Sequence, residues 1–196
     1  MPHVKPLPRD ANSEFAEKFN HYESTRGFIP NSILTMQRRP NIAKAFMAMN
    51  QAVLYEGTVP TELKMLVSLM ASHAGGCLYC QSHMTNLSTI YQASDEKIAA
   101  IWEFETSDVF SEAERAALTL ARNAAVSPNA VSGKDFDALR NYFDDAEIVE
   151  IVAAISLFGY LNRWNDTMAT ELEDVPKKVA ERVLEPTDWT VGKHEN

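Results

Sequence analysis

The chain has little that would build a sheet, span a membrane or grip nucleic acid. Only seven of its 196 residues are glycine, and most of these fall between apolar periodic segments rather than inside them. No stretch alternates apolar and polar residues convincingly, and no Asn-Gly or Asp-Gly pair marks a hairpin, so strands have no support. No apolar run approaches the roughly 20 residues a membrane-crossing helix needs. The opening Met1-Pro2-His3-Val4-Lys5-Pro6 lacks the apolar segment of a signal peptide, and its prolines predict an extended arm. Basic residues are in deficit: 18 Lys and Arg against 27 Asp and Glu give a formal charge of -9. A field of that sign repels nucleic acid and anionic membrane alike. No haem, flavin or nicotinamide motif is visible, so no cofactor is expected. Cysteine is scarce too, with Cys77 and Cys80 alone. Without an export signal the expected compartment is the reducing cytoplasm, where a disulfide framework does not form. The Cys-x-x-Cys spacing reads instead as a redox pair or half of a metal site.

What is present is helix. Hydrophobic residues make up 45% of the chain, enough to bury the core of a single domain over 1–196. Weak helical signal covers 13–22, then 31–38 as far as Pro40. The segment 41–55 carries Ala45, Phe46, Met49 and Val53 on one face. Pro60-Thr61-Glu62 opens a further helix, proline suiting a first turn and an acid suiting the dipole. Its apolar stripe is Leu63, Leu66, Val67 and Met70. Gly75-Gly76 breaks it, and a new helix starts at Cys77. Ser94, Ser111 (with Glu114), Ser132 and Asp144 (with Glu147) cap four more. The last of these is apolar on nearly every side from Ile148 to Leu161, which predicts a place at the centre of a bundle. Pro176 begins a final weak helix, and 189–196 reads as loose. The expectation is an all-α bundle of eight or nine helices.

The residues with chemistry cluster in Gly75-Gly76-Cys77-Leu78-Tyr79-Cys80-Gln81-Ser82-His83. A helix N-terminus stabilises a thiolate through its free N–H groups and dipole. Cys80 follows Cys77 by about one turn, so the sulfurs can meet. His83 lies one turn further along that face, where it can accept a thiol proton. Two other readings stand beside the redox one: a pair of small core residues, or a zinc site with His83 and His73 as further ligands. His73 reads as a helix-end residue; His3, His21 and His194 read as solvated. Asn162, Trp164, Asn165 and Asp166 place polar groups on an apolar helix, either to satisfy buried backbone or to line the cysteine site.

The stretch Leu63-Lys64-Met65-Leu66-Val67 through Cys77-Leu78-Tyr79-Cys80-Gln81-Ser82-His83 resembles the core of the carboxymuconolactone decarboxylase family, in its alkylhydroperoxidase (AhpD-like) branch. The likeness covers about 41–173, and 158–166 is similar to the last core helix of one subgroup. It implies an AhpD-like fold around a central helical hairpin, a homo-oligomer, and thiol peroxidase activity on a small or organic hydroperoxide. In that scheme Cys80 attacks, Cys77 resolves, and an external dithiol restores both. The helix dipole alone favours Cys77 as the acidic thiol; His83 favours Cys80. Two departures stand out. The family's relay glutamate falls on Met65, with Glu62 or Asp166 as candidates to replace it. The family's histidine falls on Met84, with His83 one residue early, about 100° around the helix. The rival expectation is a non-catalytic helical oligomer, a redox sensor or ligand-binding protein that kept the fold and lost the relay.

Overall fold

The computed structural model describes residues 1–187 and 189–195. Among them there is no strand; the segments read as helical all form α-helices, the two weak terminal ones included, and the α-helices number ten where eight or nine were expected. They are α1 (Ala16–Arg26), α2 (Asn31–Met36), α3 (Pro40–Tyr55), α4 (Thr61–Ala74), α5 (Leu78–Ile90), α6 (Asp95–Ala99), α7 (Glu112–Ala125), α8 (Gly133–Leu139), α9 (Asp145–Met168) and α10 (Asp174–Val183). No helix among the described residues is long and apolar enough to cross a membrane.

The core is the α4–α5 hairpin. Leu63 to Ser72 in α4 and Tyr79 to Ser88 in α5 are buried without a gap. α4 is enclosed by α5, α7 and α9, and α5 by α4, α9 and α10. This differs from the centre predicted from hydropathy. α9 presents Ile148, Ile151, Ile155, Phe158 and Leu161 inward but leaves Val149, Val152 and Tyr160 on the surface. An apolar sequence marks a helix that can be buried on all sides; only packing decides which faces are covered. The hairpin's own apolar residues are largely covered within the chain: Leu66, Leu69, Met70 and Leu87 are buried, and Ile90 is exposed.

The hairpin turn is built by its glycines. Gly76 lies in the left-handed region at φ +72°, and the N–H of Cys77 reaches the carbonyl of Ser72 at 3.1 Å while that of Gly76 reaches His73 at 3.1 Å. These two bonds make a Schellman stop, satisfying carbonyls that α4 leaves open. Gly75 is required by close approach: a Cβ there would sit 2.8 Å from Asn162 Nδ2 of α9. The chain then re-enters a helix at once, with Cys77 as the N-cap of α5, its sulfur accepting the Cys80 N–H at 3.3 Å.

The chain's ends pack on this core. Leu7 N–H bonds to Leu34, and His3 N–H to Met168, so the N-terminal arm is extended but tied down. α10 starts at Asp174, with Pro176 in its first turn. Beyond it the chain is not loose: Trp189 Nε1 donates to the Leu78 carbonyl, and His194 is 1% exposed with Nδ1 2.7 Å from the Thr170 carbonyl. His194, read as solvated, is a core residue whose neutral form burial favours; Asn196 lies outside the described residues. His3 and His21 are exposed as expected.

Candidate active site

The two sulfurs lie 2.8 Å apart, as free thiols, at the mouth of the hairpin turn. That separation exceeds the roughly 2.05 Å of a disulfide bond, yet it leaves little to move for one to form. Both residues are buried, but they are not equivalent. Cys80 lines a cavity of about 40 Å³ together with His83, Asn165, Arg26, Phe46 and Phe158; Cys77 does not. Burial pushes the Cys80 thiol well above its ordinary value, the adjacent Cys77 sulfur pushes the same way, and the Asn165 amide opposes them. Burial therefore holds Cys80 as a neutral thiol, and a charge on it would call for a nearby donor. Asn165 Nδ2, 3.4 Å from Cys80 Sγ, is the donor aimed at that charge. Of the four polar residues that stand out on α9, it is the one bonded to a cysteine. Asn162 instead donates to the Ala71 carbonyl at 3.1 Å, and Asp166 pairs with Lys193 at 2.8 Å.

The missing carboxylate enters from a different part of the chain. Glu173, the N-cap of α10, places Oε2 2.6 Å from His83 Nε2 and accepts the Tyr79 hydroxyl at Oε1, 2.9 Å away. The Asn31 N–H at the start of α2 donates to Oε1 as well. The Tyr79 ring lies over the His83 ring at 4.3 Å, and Phe28 meets the imidazole edge-on at 5.4 Å. Phe28 is delivered there because α1 stops at Gly27, φ +80°. The imidazole is thus clamped on two faces and anchored at one nitrogen. With Nε2 carrying the proton toward Glu173, Nδ1 is the nitrogen left to exchange one.

Neither replacement candidate from the sequence serves. Glu62 sits 3.3 Å from Lys97, which also holds Glu114, and Asp166 belongs to Lys193. Met65 is fully buried core. Glu173 escaped notice because it lies 90 residues from His83; the only local signal is an acid at a helix start, which the dipole alone explains. The zinc reading fails on placement. His73 does not join the pair: its ring lies 6.1 Å from Trp102, and burial lowers its pKa to about 4. Among the described residues no three His, Cys, Asp or Glu side chains are grouped to hold a metal.

A model of the carboxymuconolactone decarboxylase family matches residues 40–123, a stretch that includes the α4–α5 hairpin and both cysteines. The chain belongs to that family. Within it, the fold is that of the AhpD-like branch. A peroxidase-related protein with an alkylhydroperoxidase AhpD core from Ralstonia eutropha JMP134 superposes with a TM-score of 0.80, covering 94% of this chain and 98% of that one; at 23% identity the likeness is of fold. The debrominase Bmp8, as a cysteine-to-alanine variant in complex with 2,3,4-tribromopyrrole, is 36% identical over 92% of this chain and 96% of its own, with a TM-score of 0.86. The uncharacterised protein YnjA of Escherichia coli (strain K12) is 28% identical over 123 residues. That match spans 65% of the E. coli protein, just under two thirds of its length.

Proposed function

We propose that the chain is a thiol-dependent peroxidase, a disulfide oxidoreductase reducing small or organic hydroperoxides with Cys80 and Cys77. The observation that carries this reading is the pair of free sulfurs 2.8 Å apart, with Cys80 sharing a cavity wall with His83. Cys80 gives its proton to His83 and attacks the terminal peroxide oxygen. The O–O bond breaks, Cys80 becomes a sulfenic acid, and the departing alkoxide takes the proton back from His83 as an alcohol. Cys77 then attacks the Cys80 sulfur, the disulfide forms, and the hydroxyl leaves with the Cys77 proton as water. An external dithiol restores both thiols by exchange. Glu173 keeps His83 in one tautomer and stabilises the imidazolium formed in the first step.

The rival, a non-catalytic oligomer, rested on the absence of a carboxylate at Met65; Glu173 supplies one at His83 and removes that ground. The homo-oligomer belongs to the proposal, with the exposed Val149, Val152 and Tyr160 of α9 as apolar surface for a second copy. Sedimentation at micromolar concentration should give a multiple of 21.9 kDa; a monomer refutes it.

A second reading is favoured by the 36% identity to Bmp8 over nearly the whole of both chains: reductive debromination of a small aromatic. There the two thiols would supply two electrons, releasing the reduced aromatic, bromide and a proton as the disulfide forms. Dithiol-dependent consumption of tert-butyl hydroperoxide, run beside bromide release from a polybrominated pyrrole, separates the two. Turnover of the peroxide that is absent in Cys80→Ser supports the first reading. Bromide release without peroxide turnover replaces it with the second. No turnover of either, with both thiols surviving stoichiometric oxidant, removes both.

A further inference from the structure

The wall of the cysteine cavity carries one full positive charge, and no acid answers it. Arg26, in the last turn of α1, lines the cavity with Cys80 and His83. Its guanidinium donates to the Tyr55 hydroxyl at 2.6 Å and lies over the Tyr22 ring at 4.8 Å, both neutral partners. Among the described residues no carboxylate lies within ion-pair distance of it. The acid one turn back on the same helix, Glu23, is taken by Arg9 at 3.0 Å. In a chain where acids outnumber bases 27 to 18, a half-buried arginine left to neutral partners has binding capacity to spare. Guanidinium has five donors in a fixed fork suited to a carboxylate, and only one is engaged by a hydrogen bond to a side chain here.

The rest of the lining fits the other parts of a small organic anion. Phe46, Leu54, Met84, Phe158 and Leu161 offer apolar walls, and Asn165 Oδ1, buried and without a partner, sits beside Cys80. That oxygen can accept the terminal O–H of a hydroperoxide, holding the peroxide where Asn165 Nδ2 already reaches the sulfur. At about 40 Å³ the cavity admits a body of only a few heavy atoms, since a single water needs roughly 10–15 Å³ on this measure.

We propose that Arg26 determines specificity: the substrate is a short organic electrophile bearing a carboxylate, held by Arg26 at one end with its reacting atom at Cys80. This rests on the thiol-peroxidase reading for the reaction, but its recognition step is measurable without turnover. The kinetic probe is hydroperoxyacetate against neutral ethyl hydroperoxide, both with excess dithiothreitol. The wild type should prefer the carboxylate in kcat/KM by roughly 10- to 100-fold, the range of a hydrogen bond to a charged group. Arg26→Gln should collapse that ratio toward one, and Arg26→Lys should keep part of it. A purely structural arginine would lower both rates together and leave the ratio intact, which would overturn the proposal. The binding probe is propanoate against propanamide by isothermal titration of wild type and Arg26→Gln. Tighter binding of the carboxylate that disappears in the variant sustains the proposal even if no peroxide is consumed, in which case the peroxidase reading alone falls. Equal binding of acid and amide to the wild type overturns it.

Discussion

Two partly buried acid–base pairs cross this molecule, and they do different work. Lys64 of α4 meets Glu150 of α9 at 2.7 Å; His83 of α5 meets Glu173 of α10 at 2.6 Å. In the first pair every polar atom is spent on structure. Glu150 also accepts the N–H groups of Thr58 and Val59, and Lys64 Nζ donates to the Glu56 carbonyl, so the pair pins the 56–60 loop to the hairpin. Neither residue lines the cavity that holds Cys80. The second pair borders the cavity that Cys80 lines, and its basic member is an imidazole. A buried ion pair is weak evidence of function by itself; a titratable member beside an exchangeable thiol is what separates the two.

The largest effect should come from the sulfur. Cys80→Ser should abolish dithiol-dependent turnover while the fold persists, the change being nearly isosteric. Cys77→Ser should still react once, accumulating a sulfenic acid that a dimedone-type trap detects by mass. In that variant the reaction rate should climb as pH rises above neutrality, because burial holds the Cys80 thiol well above its ordinary value. Next comes the carboxylate. Glu173→Gln should lower kcat/KM by roughly 100- to 10,000-fold, the worth of general acid–base assistance, and His83→Ala should lose about as much, with the double variant little worse than either. If Glu173→Gln costs no more than Glu150→Gln in activity, the two pairs are alike and the catalytic assignment fails.

Smaller effects fall on stability. Glu150→Ala strands the buried Lys64 charge and should cost about 3–5 kcal/mol in denaturant unfolding, with kcat of the folded protein within about twofold of wild type. Acid should then erode stability in two stages. Burial lowers His73 to about 4, so from about pH 6.5 down to 4 the unfolded chain binds a proton that the folded one refuses. Stability falls as pH falls through that window, His73 contributing at most about 1.4 kcal/mol per pH unit, and His73→Gln should reduce the slope to what buried His194 leaves. Glu150 is desolvated, which raises it, but its bonds to Lys64, Thr58 and Val59 win and lower it to about 2. Its contribution is whole above about pH 4.5 and is lost toward 2, a step that should vanish in Glu150→Gln.

The sequence by itself determined the helices and the reactive turn. Period, caps and glycines are local, and they placed α4, the Gly75-Gly76 stop, Cys77 at a helix start and His83 one turn after Cys80. Tertiary structure decided the rest, because it brings together groups that no local pattern connects. It chose the α4–α5 hairpin as the centre in place of α9, since hydropathy records what a helix can bury and not which of its faces finds a neighbour. It brought Glu173 to His83 across 90 residues, Asn165 to Cys80 across 85 and Arg26 to Tyr55 across 29. Each is an ordinary polar residue until folding sets it against partners far along the chain. The thiols are legible because their chemistry lies in their spacing, whereas the acid and the cation acquire theirs from position.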